Sequence, residues 1–373
     1  MKNFKLVLFI ALIINFITSQ NVYAEEVFKL DLKTGINKFL KDNYDVKISN
    51  YDVQKLKGDI DTASLLQNPD FSANVSNFNT VAYKDKDNPD SFAFRINQSF
   101  ETVNKREYRI KVAQENFNYS KLNYQDNIRN LLTNFIIVYY QVMLDNIQLE
   151  SAKENYNSFN KLLIVSAIKL EKGFIPELEH TKLEIQQLDF KKDISNSTLN
   201  LKTDLENLKY LLSLNENVNI KIKDEMPESN NNLNIDKFVS AALIKRYDLK
   251  AAKKSQELAE INIKLNKLNA YPDVTFGIES DSSGPSYKPA IGGGVGFSIP
   301  IFNKNQGEIF KSELNKTQSQ LNYEKTKRLI VSQVKQSFYI LIEKENIFNA
   351  NKSYFLKLRK LKDNEEKAYI LGG

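Results

Sequence analysis

The one histidine of the chain, His180, lies close in sequence to three glutamates, Glu177, Glu179 and Glu184. Imidazole and carboxylate groups at this spacing could bind a cation weakly if symmetry brought several copies together. Zinc sites, however, usually add a second histidine or cysteine ligands. The dipole of a helix that begins here also explains the acidic residues. The sequence therefore predicts a solvated helix residue at His180 and no metal site.

A glycine run at residues 292–294, followed by Gly296, superficially resembles a phosphate-binding loop. It lacks the Lys-Ser/Thr pair and the strand-to-helix position of such loops, so a twisted or closely packed strand is the better interpretation. The sequence also contains no Gly-x-Ser-x-Gly, Walker A or His-Glu-x-x-His motif. We therefore predict that the protein is not an enzyme and uses no cofactor.

Charge and cysteine content narrow the class of protein further. The 52 basic residues are spread evenly among 46 acidic ones, for a net charge of +6. An even distribution is typical of solvated helix faces, so no nucleic-acid partner is predicted. Cysteine is absent, which excludes disulfides, thiolate metal sites and a lipid-bearing cysteine.

Residues 1–24 have the pattern of a secretory signal peptide. Lys2 and Lys5 precede an apolar run from Leu6 to Ile17, and Val-Tyr-Ala at residues 22–24 forms a cleavage site. The apolar run is shorter than the roughly 20 residues of a membrane-spanning helix. We expect the signal to be cleaved and the mature protein to be exported.

Long helices are predicted where glycine and proline are absent and apolar residues recur every three or four positions. One helix of about 70 residues is expected from Thr102 to Glu171. Gly173 and Pro176 interrupt it, and an antiparallel return helix is expected over residues 177–213. The apolar residues form a narrow coiled-coil seam, which in the first helix consists of Ile128, Leu131, Phe135, Val138 and Val142.

Four short segments instead alternate apolar and polar residues. Their apolar positions are Phe71, Ala73 and Val75; Phe92, Phe94, Ile96 and Phe100; Val274, Phe276 and Ile278; and Val295, Phe297, Ile299 and Ile301. This alternation fits membrane β-barrel strands, and it also fits an amphipathic hairpin on a soluble core. The flanking long helices offer no core that would cover the hairpins, which favours the barrel.

The same order of motifs occurs twice. Residues 43–47 return as 246–250, and Pro69-Asp70 returns as Pro272-Asp273, both at an offset of 203. Leu122-Asn123-Tyr124 returns as Leu321-Asn322-Tyr323, and Gly173 as Gly372, at an offset of 199. Four matches in one order predict a tandem duplication. The first repeat covers residues 25–229 and the second covers residues 230–373.

These motifs resemble those of the TolC-type outer membrane efflux proteins over nearly the whole mature chain. The resemblance is carried by Tyr44-Asp45 and Tyr247-Asp248, by the two Pro-Asp strand entries, and by the strand exit at residues 299–302. The element Phe302–Gly307 is similar to a variant found in the heavy-metal efflux branch. On that element alone, metal ions are favoured over drugs as the exported solute.

The resemblance implies a mainly α fold with a small β part. Coiled-coil hairpins would form a long antiparallel α-helical barrel. Two β-hairpins, at about residues 69–100 and 272–302, would combine in a homotrimer into a 12-stranded outer membrane β-barrel. It further implies a passive channel, with most of its mass in the periplasm, which works with a periplasmic adaptor and an inner-membrane pump.

By the same resemblance, the tip that meets the adaptor lies at the helix–helix turns. The turn residues are Leu170, Gly173 and Pro176 in the first repeat and Leu371 and Gly372 in the second. Charges near the first turn are candidates for lining the tunnel, namely Lys169, Glu171, Lys172, Glu177 and Glu179. Rings of such charges set selectivity in symmetric pores.

The second repeat departs from the family because no return helix follows Gly372. We therefore expect a C-terminally truncated form with an uncovered apolar seam from Tyr323 to Tyr369, which could be nonfunctional. An alternative hypothesis from another class is a periplasmic or surface coiled-coil structural protein without channel activity.

Overall fold

The computed structural model describes residues 26–76, 91–225, 233–283, 288 and 290–371. The expected signal peptide (residues 1–24) and Gly372 lie outside the described residues. Within the described part of the chain, we find no helix that combines the length and the apolarity needed to cross a membrane.

The chain is mostly helical with a small β part, as the sequence predicts. In chain order the elements are β1 (Glu26–Leu30), α1 (Leu32–Asp42), α2 (Tyr44–Ser64), β2 (Asp70–Ser76), β3 (Ser91–Phe100), α3 (Lys105–Glu171), α4 (Glu177–Leu211), β4 (Val218–Ile222), α5 (Ile235–Lys245), α6 (Tyr247–Leu268), β5 (Val274–Ser283), β6 (Ala290–Phe297) and α7 (Gln306–Leu371).

The two long helices, α3 and α7, contain 67 and 66 residues, and each is about 100 Å long at 1.5 Å per residue. The start of α3 differs from the predicted Thr102 by three residues. Val103 and Asn104 adopt positive φ angles of 50° and 62°, which a right-handed helix cannot contain. The helix therefore begins at Lys105.

The chain forms two compact units, and the first comprises residues 1–47, 128–232 and 341–373. Its core is a cluster of fully buried large side chains, with Phe39 stacked on Phe135 at a centroid distance of 5.1 Å. A Cβ atom on Gly35 would lie 2.8 Å from the Phe135 ring, so this glycine permits the close approach. Strands β1 and β4 pair in parallel beside this core.

Asn43 joins two helix ends within the first unit and is 2 % exposed. Its Oδ1 accepts hydrogen bonds from the backbone N–H groups of Asp45 and Val46, at 2.9 and 3.1 Å, which caps helix α2. Its Nδ2 donates to the carbonyl oxygen of Leu211 at 2.9 Å. One buried amide therefore satisfies both the start of α2 and the end of α4.

The second unit comprises residues 48–127 and 233–340. It contains a four-stranded antiparallel sheet in the order β2-β3-β5-β6. The central ladder joins the two hairpins and runs from Ser91 opposite Ser283 to Phe100 opposite Val274. The second hairpin ends at Phe297 instead of near residue 302, since Pro300 cannot donate to a ladder. Strands β2 and β6 are the outer strands of this sheet.

Candidate channel wall and helical tip

The four-stranded sheet carries its large apolar side chains on one face. The ladder register places Phe71 opposite Ile96 and Ile96 opposite Ile278. By the same register this face contains Phe71, Val75, Phe92, Phe94, Ile96, Phe100, Val274, Phe276, Ile278, Ile291, Val295 and Phe297. Exposed fractions reach 64 % at Phe71 and 80 % at Ile291. The face is thus a wide apolar surface that no described part of its own unit covers.

The opposite face is polar or lacks side chains. It presents Asp70, Ser72, Asn74, Ser76, Arg95, Asn97, Ser99, Thr275, Glu279 and Asp281, together with Gly277, Gly292, Gly294 and Gly296. Arg95 Nε donates to Glu279 Oε2 at 2.9 Å, and its Nη2 binds the same oxygen. Three acidic residues and one arginine leave this face with a formal charge of −2. The glycine run lies within strand β6, and not in a loop that precedes a helix.

A close contact explains why residue 277, on this polar face, is a glycine. A Cβ atom there would lie 2.5 Å from Asn97 Oδ1 on the neighbouring strand, which is closer than real contacts allow. The two residues are partners in the β3·β5 ladder. An asparagine side chain therefore lies over the glycine that faces it.

The end of the sheet that leads into α3 is held by an ion pair between buried Lys105 and half-buried Asp273. The Lys105 side chain is 7 % exposed, and its Nζ lies 2.7 Å from Asp273 Oδ1 and 2.5 Å from the carbonyl oxygen of Tyr271. The Thr102 N–H also donates to Asp273 Oδ1, at 3.3 Å. These contacts connect the end of the first hairpin with the entry to the second.

The turn between α3 and α4 lies in the first unit and has a Schellman geometry. Gly173 adopts φ +73°; its N–H donates to the Leu170 carbonyl at 2.9 Å, and the Phe174 N–H donates to the Lys169 carbonyl at 2.8 Å. Pro176 is the N-cap of α4, with φ −73° and ψ 153°, and so directly precedes the first turn of the helix. Glycine here avoids the cost of a left-handed conformation.

The five charges predicted to line a tunnel lie at this same turn. Glu171, Lys172, Glu177 and Glu179 are exposed, whereas Lys169 is half-buried. Glu177 and Glu179 occupy the first turn of α4, where they favour the positive helix end. In the second repeat, Leu371 is the last residue of helix α7. The other predicted turn residue, Gly372, lies outside the described residues. That these residues line a tunnel or meet an adaptor stays a prediction.

The prediction that His180 is solvated is wrong. Its side chain is 15 % exposed and its Nδ1 lies 2.7 Å from the Oγ of buried Ser166 on α3. The Ser166 hydroxyl lies within hydrogen-bond distance of both the Leu163 carbonyl, at 2.7 Å, and His180 Nδ1, and the tautomer of His180 decides which of them accepts its proton. His180 therefore ties α4 to α3. Across the described residues we find no group of three or more potential metal ligands.

A second polar contact between α3 and α4 joins two carboxyl groups. Asp145 is 1 % exposed; its Oδ1 accepts from Gln141 Nε2 at 2.9 Å, and its Oδ2 meets no ordinary donor. The pKa of Asp204 is raised. Burial of its carboxyl group is the largest cause, and the interaction with the Asp145 carboxyl is the second. Protonation of Asp204, which a raised pKa favours, is the state in which the two carboxyl groups can share a hydrogen bond.

The family model for the outer membrane efflux protein matches residues 35–213 and 238–342, which together are most of the chain. The chain belongs to the outer membrane efflux protein family. This confirms the resemblance inferred from the repeated motifs.

The solved structures of CusC and of the CmeC outer membrane channel share its fold. CusC superposes with a TM-score of 0.75 at 19 % identity, covering 93 % of this chain and 84 % of CusC. The CmeC outer membrane channel of Campylobacter jejuni gives 0.73 at 15 % identity, covering 91 % and 77 %. Toxin and drug export protein A of Aggregatibacter actinomycetemcomitans is 24 % identical over 271 residues, which are 69 % of this chain and 57 % of that relative. The chain thus spans less than two thirds of this relative.

Sequence reasoning missed several residues that hold these elements in place. Arg95 and Lys105 are ordinary basic residues until the fold brings Glu279 and Asp273 to them. One signal was available for the second pair, because Asp273 belongs to the repeated Pro-Asp entry. No comparable signal marked Asn43 or the Ser166–His180 contact.

Proposed function

We propose that this family member is the outer membrane component of a tripartite efflux system, a passive trimeric exit duct for small solutes. The observation that carries the proposal is the four-stranded sheet, whose one face is apolar and exposed while the other is polar. In water such an apolar surface would promote aggregation. In a membrane it would face lipid.

The free edges of the sheet support a closed assembly. Strands β2 and β6 are outer strands, and an open edge in lipid leaves backbone N–H and C=O groups without hydrogen bonds. Three copies of a four-stranded sheet would close into a 12-stranded barrel without any edge. The apolar face would then contact lipid and the polar face would line the lumen.

The polar face also bears on the class of exported solute. Its formal charge of −2 in each chain would give six negative charges in a trimer, which favours cations over anions in the lumen. The Phe302–Gly307 element is similar to that of metal exporters, whereas one relative is named for toxin and drug export. We propose small cationic solutes, with metal ions favoured over drugs.

The helices supply the periplasmic part of the duct in this proposal. The α3–α4 turn around Gly173 would meet a periplasmic adaptor, which connects the duct to an inner-membrane pump. The charges at Lys169, Glu171, Lys172, Glu177 and Glu179 would border the tunnel entrance. Export through a cleaved signal peptide would deliver the chain to the outer membrane.

The test is to express the chain with its signal peptide in a Gram-negative host and to fractionate the envelope. A trimer that requires detergent for extraction, migrates faster before boiling and conducts ions in a planar bilayer would support the duct. Extraction into aqueous buffer without bilayer conductance would contradict it and would favour the coiled-coil structural alternative.

A further inference from the structure

Side-chain size differs between neighbouring strands on the polar face of the sheet. Strands β3 and β5 place arginine, asparagine and acidic side chains on this face, whereas β6 places on it only Ala290, Gly292, Gly294 and Gly296. A groove of about 580 Å³ lies over these small residues and is bordered by the longer side chains of β3 and β5. A solute that follows β6 would therefore pass directly beside the charges of β5.

Two acidic residues of β5 border this groove, and they differ in their neighbours. Glu279 is opposite a glycine of β6 on one side and Arg95 of β3 on the other. Arg95 Nε donates to Glu279 Oε2 at 2.9 Å, and its Nη2 contacts the same oxygen. Asp281 instead lies between Ala93 and Ala290, so no charged side chain stands directly opposite it in the sheet. Arg95 therefore shields the first acid, and the second acid is unshielded.

The ion pair is open to the solvent of the polar face. The side chains of Arg95 and Glu279 are 49 % and 39 % exposed, and Asp281 is exposed as well. Two residues of strand separate Glu279 from Asp281, which is about 7 Å at 3.4 Å per residue. This distance is shorter than the Debye length of about 10 Å at 0.1 M salt. The three charges therefore act together on an ion that passes along β6.

We propose that Arg95, Glu279 and Asp281 determine the charge selectivity of the duct. The two acids attract cations, and Arg95 limits this attraction by binding Glu279. Conduction requires an attraction strong enough for entry and weak enough for release, and a partly neutralised set of charges meets both conditions. This inference rests on the proposed function, in which the polar face lines the lumen, and it assigns the preference for cationic solutes to three residues.

Reversal potentials of the full-length protein in a planar bilayer under a KCl gradient test this assignment. The readout is the ratio of potassium to chloride permeability. Arg95→Gln should raise the ratio by about twofold, because it leaves Glu279 without its counter-ion. Glu279→Gln should lower the ratio by about two- to threefold, because it removes one acid and also frees the guanidinium of Arg95. Arg95→Lys keeps the positive charge and should leave the ratio nearly unchanged.

Two further variants separate the local arrangement from the net charge of the face. Asp281→Asn removes the same formal charge as Glu279→Gln but frees no arginine, so the permeability ratio should fall less. The charge-exchanged variant Arg95→Glu/Glu279→Arg keeps the ion pair and the net charge but places the arginine beside β6, so the ratio should fall by about twofold. Thr275→Gln is the matched neutral control on the same face. All differences should disappear near 1 M salt, where the Debye length is about 3 Å.

Two results would overturn the inference while the proposed function stands. Equal permeability ratios in Arg95→Gln, Glu279→Gln and the original protein would place the selectivity outside the sheet. A charge-exchanged variant with the original ratio would show that the net charge of the face is sufficient and that the position of Arg95 has no role. If the original chain forms no trimer and conducts no ions, the proposed function itself fails, which is a different outcome from a conducting trimer that ignores these residues.

Discussion

The first unit and the sheet of the second unit use the same kinds of apolar side chain in opposite ways. Around Phe135, Tyr139 and Phe39 the rings are fully buried. In the sheet, Phe71, Phe297 and Ile291 are 64 %, 62 % and 80 % exposed. Burial in the helical unit is achieved by the chain itself. The described part of its unit leaves the sheet uncovered, and the proposed contact with lipid rests on this difference.

The largest expected effect is at the buried side of this comparison. Phe135→Ala should destabilise the helical unit by about 3–5 kcal/mol, because it leaves a cavity beside Phe39 and Gly35. The free energy of unfolding can be measured from the helical circular dichroism signal in urea. Phe94→Ala is the matched control and should change it by less than about 1 kcal/mol. If both variants lost the same free energy of unfolding, the helical core and the exposed sheet would not differ in how their apolar side chains contribute to stability.

A charge on the exposed side should act through insertion. Phe94→Arg or Phe297→Arg should each cost about 2–4 kcal/mol if the side chain faces the membrane interior. The yield of trimer in the outer membrane fraction measures this cost. Thr275→Arg, on the polar face of the same sheet, should leave the yield nearly unchanged. A normal yield of the Phe94 variant would reject the assigned facing of the strands.

The helical turn should be sensitive to backbone conformation instead of apolarity. Proline cannot adopt the φ of +73° at Gly173 and has no N–H for the Leu170 carbonyl, so Gly173→Pro should destabilise the turn by at least about 1–2 kcal/mol. We expect loss of adaptor-dependent efflux with normal membrane insertion. Gly173→Asn, which tolerates a left-handed conformation, should retain most of the efflux. Unchanged efflux in the proline variant would count against the tip assignment.

The smallest effect concerns the carboxyl pair of the helical unit. Burial and the neighbouring Asp145 raise the pKa of Asp204 in the folded state. Between the unfolded and the folded pKa the folded chain therefore binds more protons than the unfolded chain, and stability decreases as the pH rises through that window. Asp204→Asn should weaken this pH dependence and leave neutral-pH stability equal or higher. Urea titrations at several pH values between 4 and 8 would measure how the free energy of unfolding depends on pH in the two proteins. An unaltered slope would mean that the proton does not stabilise the folded state.

The sequence predicts those parts of the fold that repeat regularly. The spacing of Phe135 and its neighbours predicts the long helix, and the alternation around Phe94 and Phe276 predicts the strands and their faces. The parallel pairing of β1 with β4 was not predicted, because two five-residue strands far apart in sequence carry no distinctive pattern. The register of β3 with β5 likewise becomes visible only in three dimensions.

The candidate site follows the same division. Gly173 is identified from the sequence because a glycine between two helical patterns predicts a left-handed turn. His180 was assigned to solvent, because no periodic pattern indicates that Ser166 would lie opposite it. The Lys105–Asp273 pair depends on which hairpin ends meet, and a single sequence leaves that choice open.

The central ladder of the sheet has a consequence for biogenesis. Arg95 and Glu279, which face each other across it, are 184 residues apart in the chain. The first hairpin is therefore synthesised long before the strand that completes its inner edge. During that interval its apolar side chains and unpaired backbone are open to wrong partners. We expect periplasmic holding chaperones to be needed most for this nascent state, and the dependence of yield on them to decrease if β5 is supplied early.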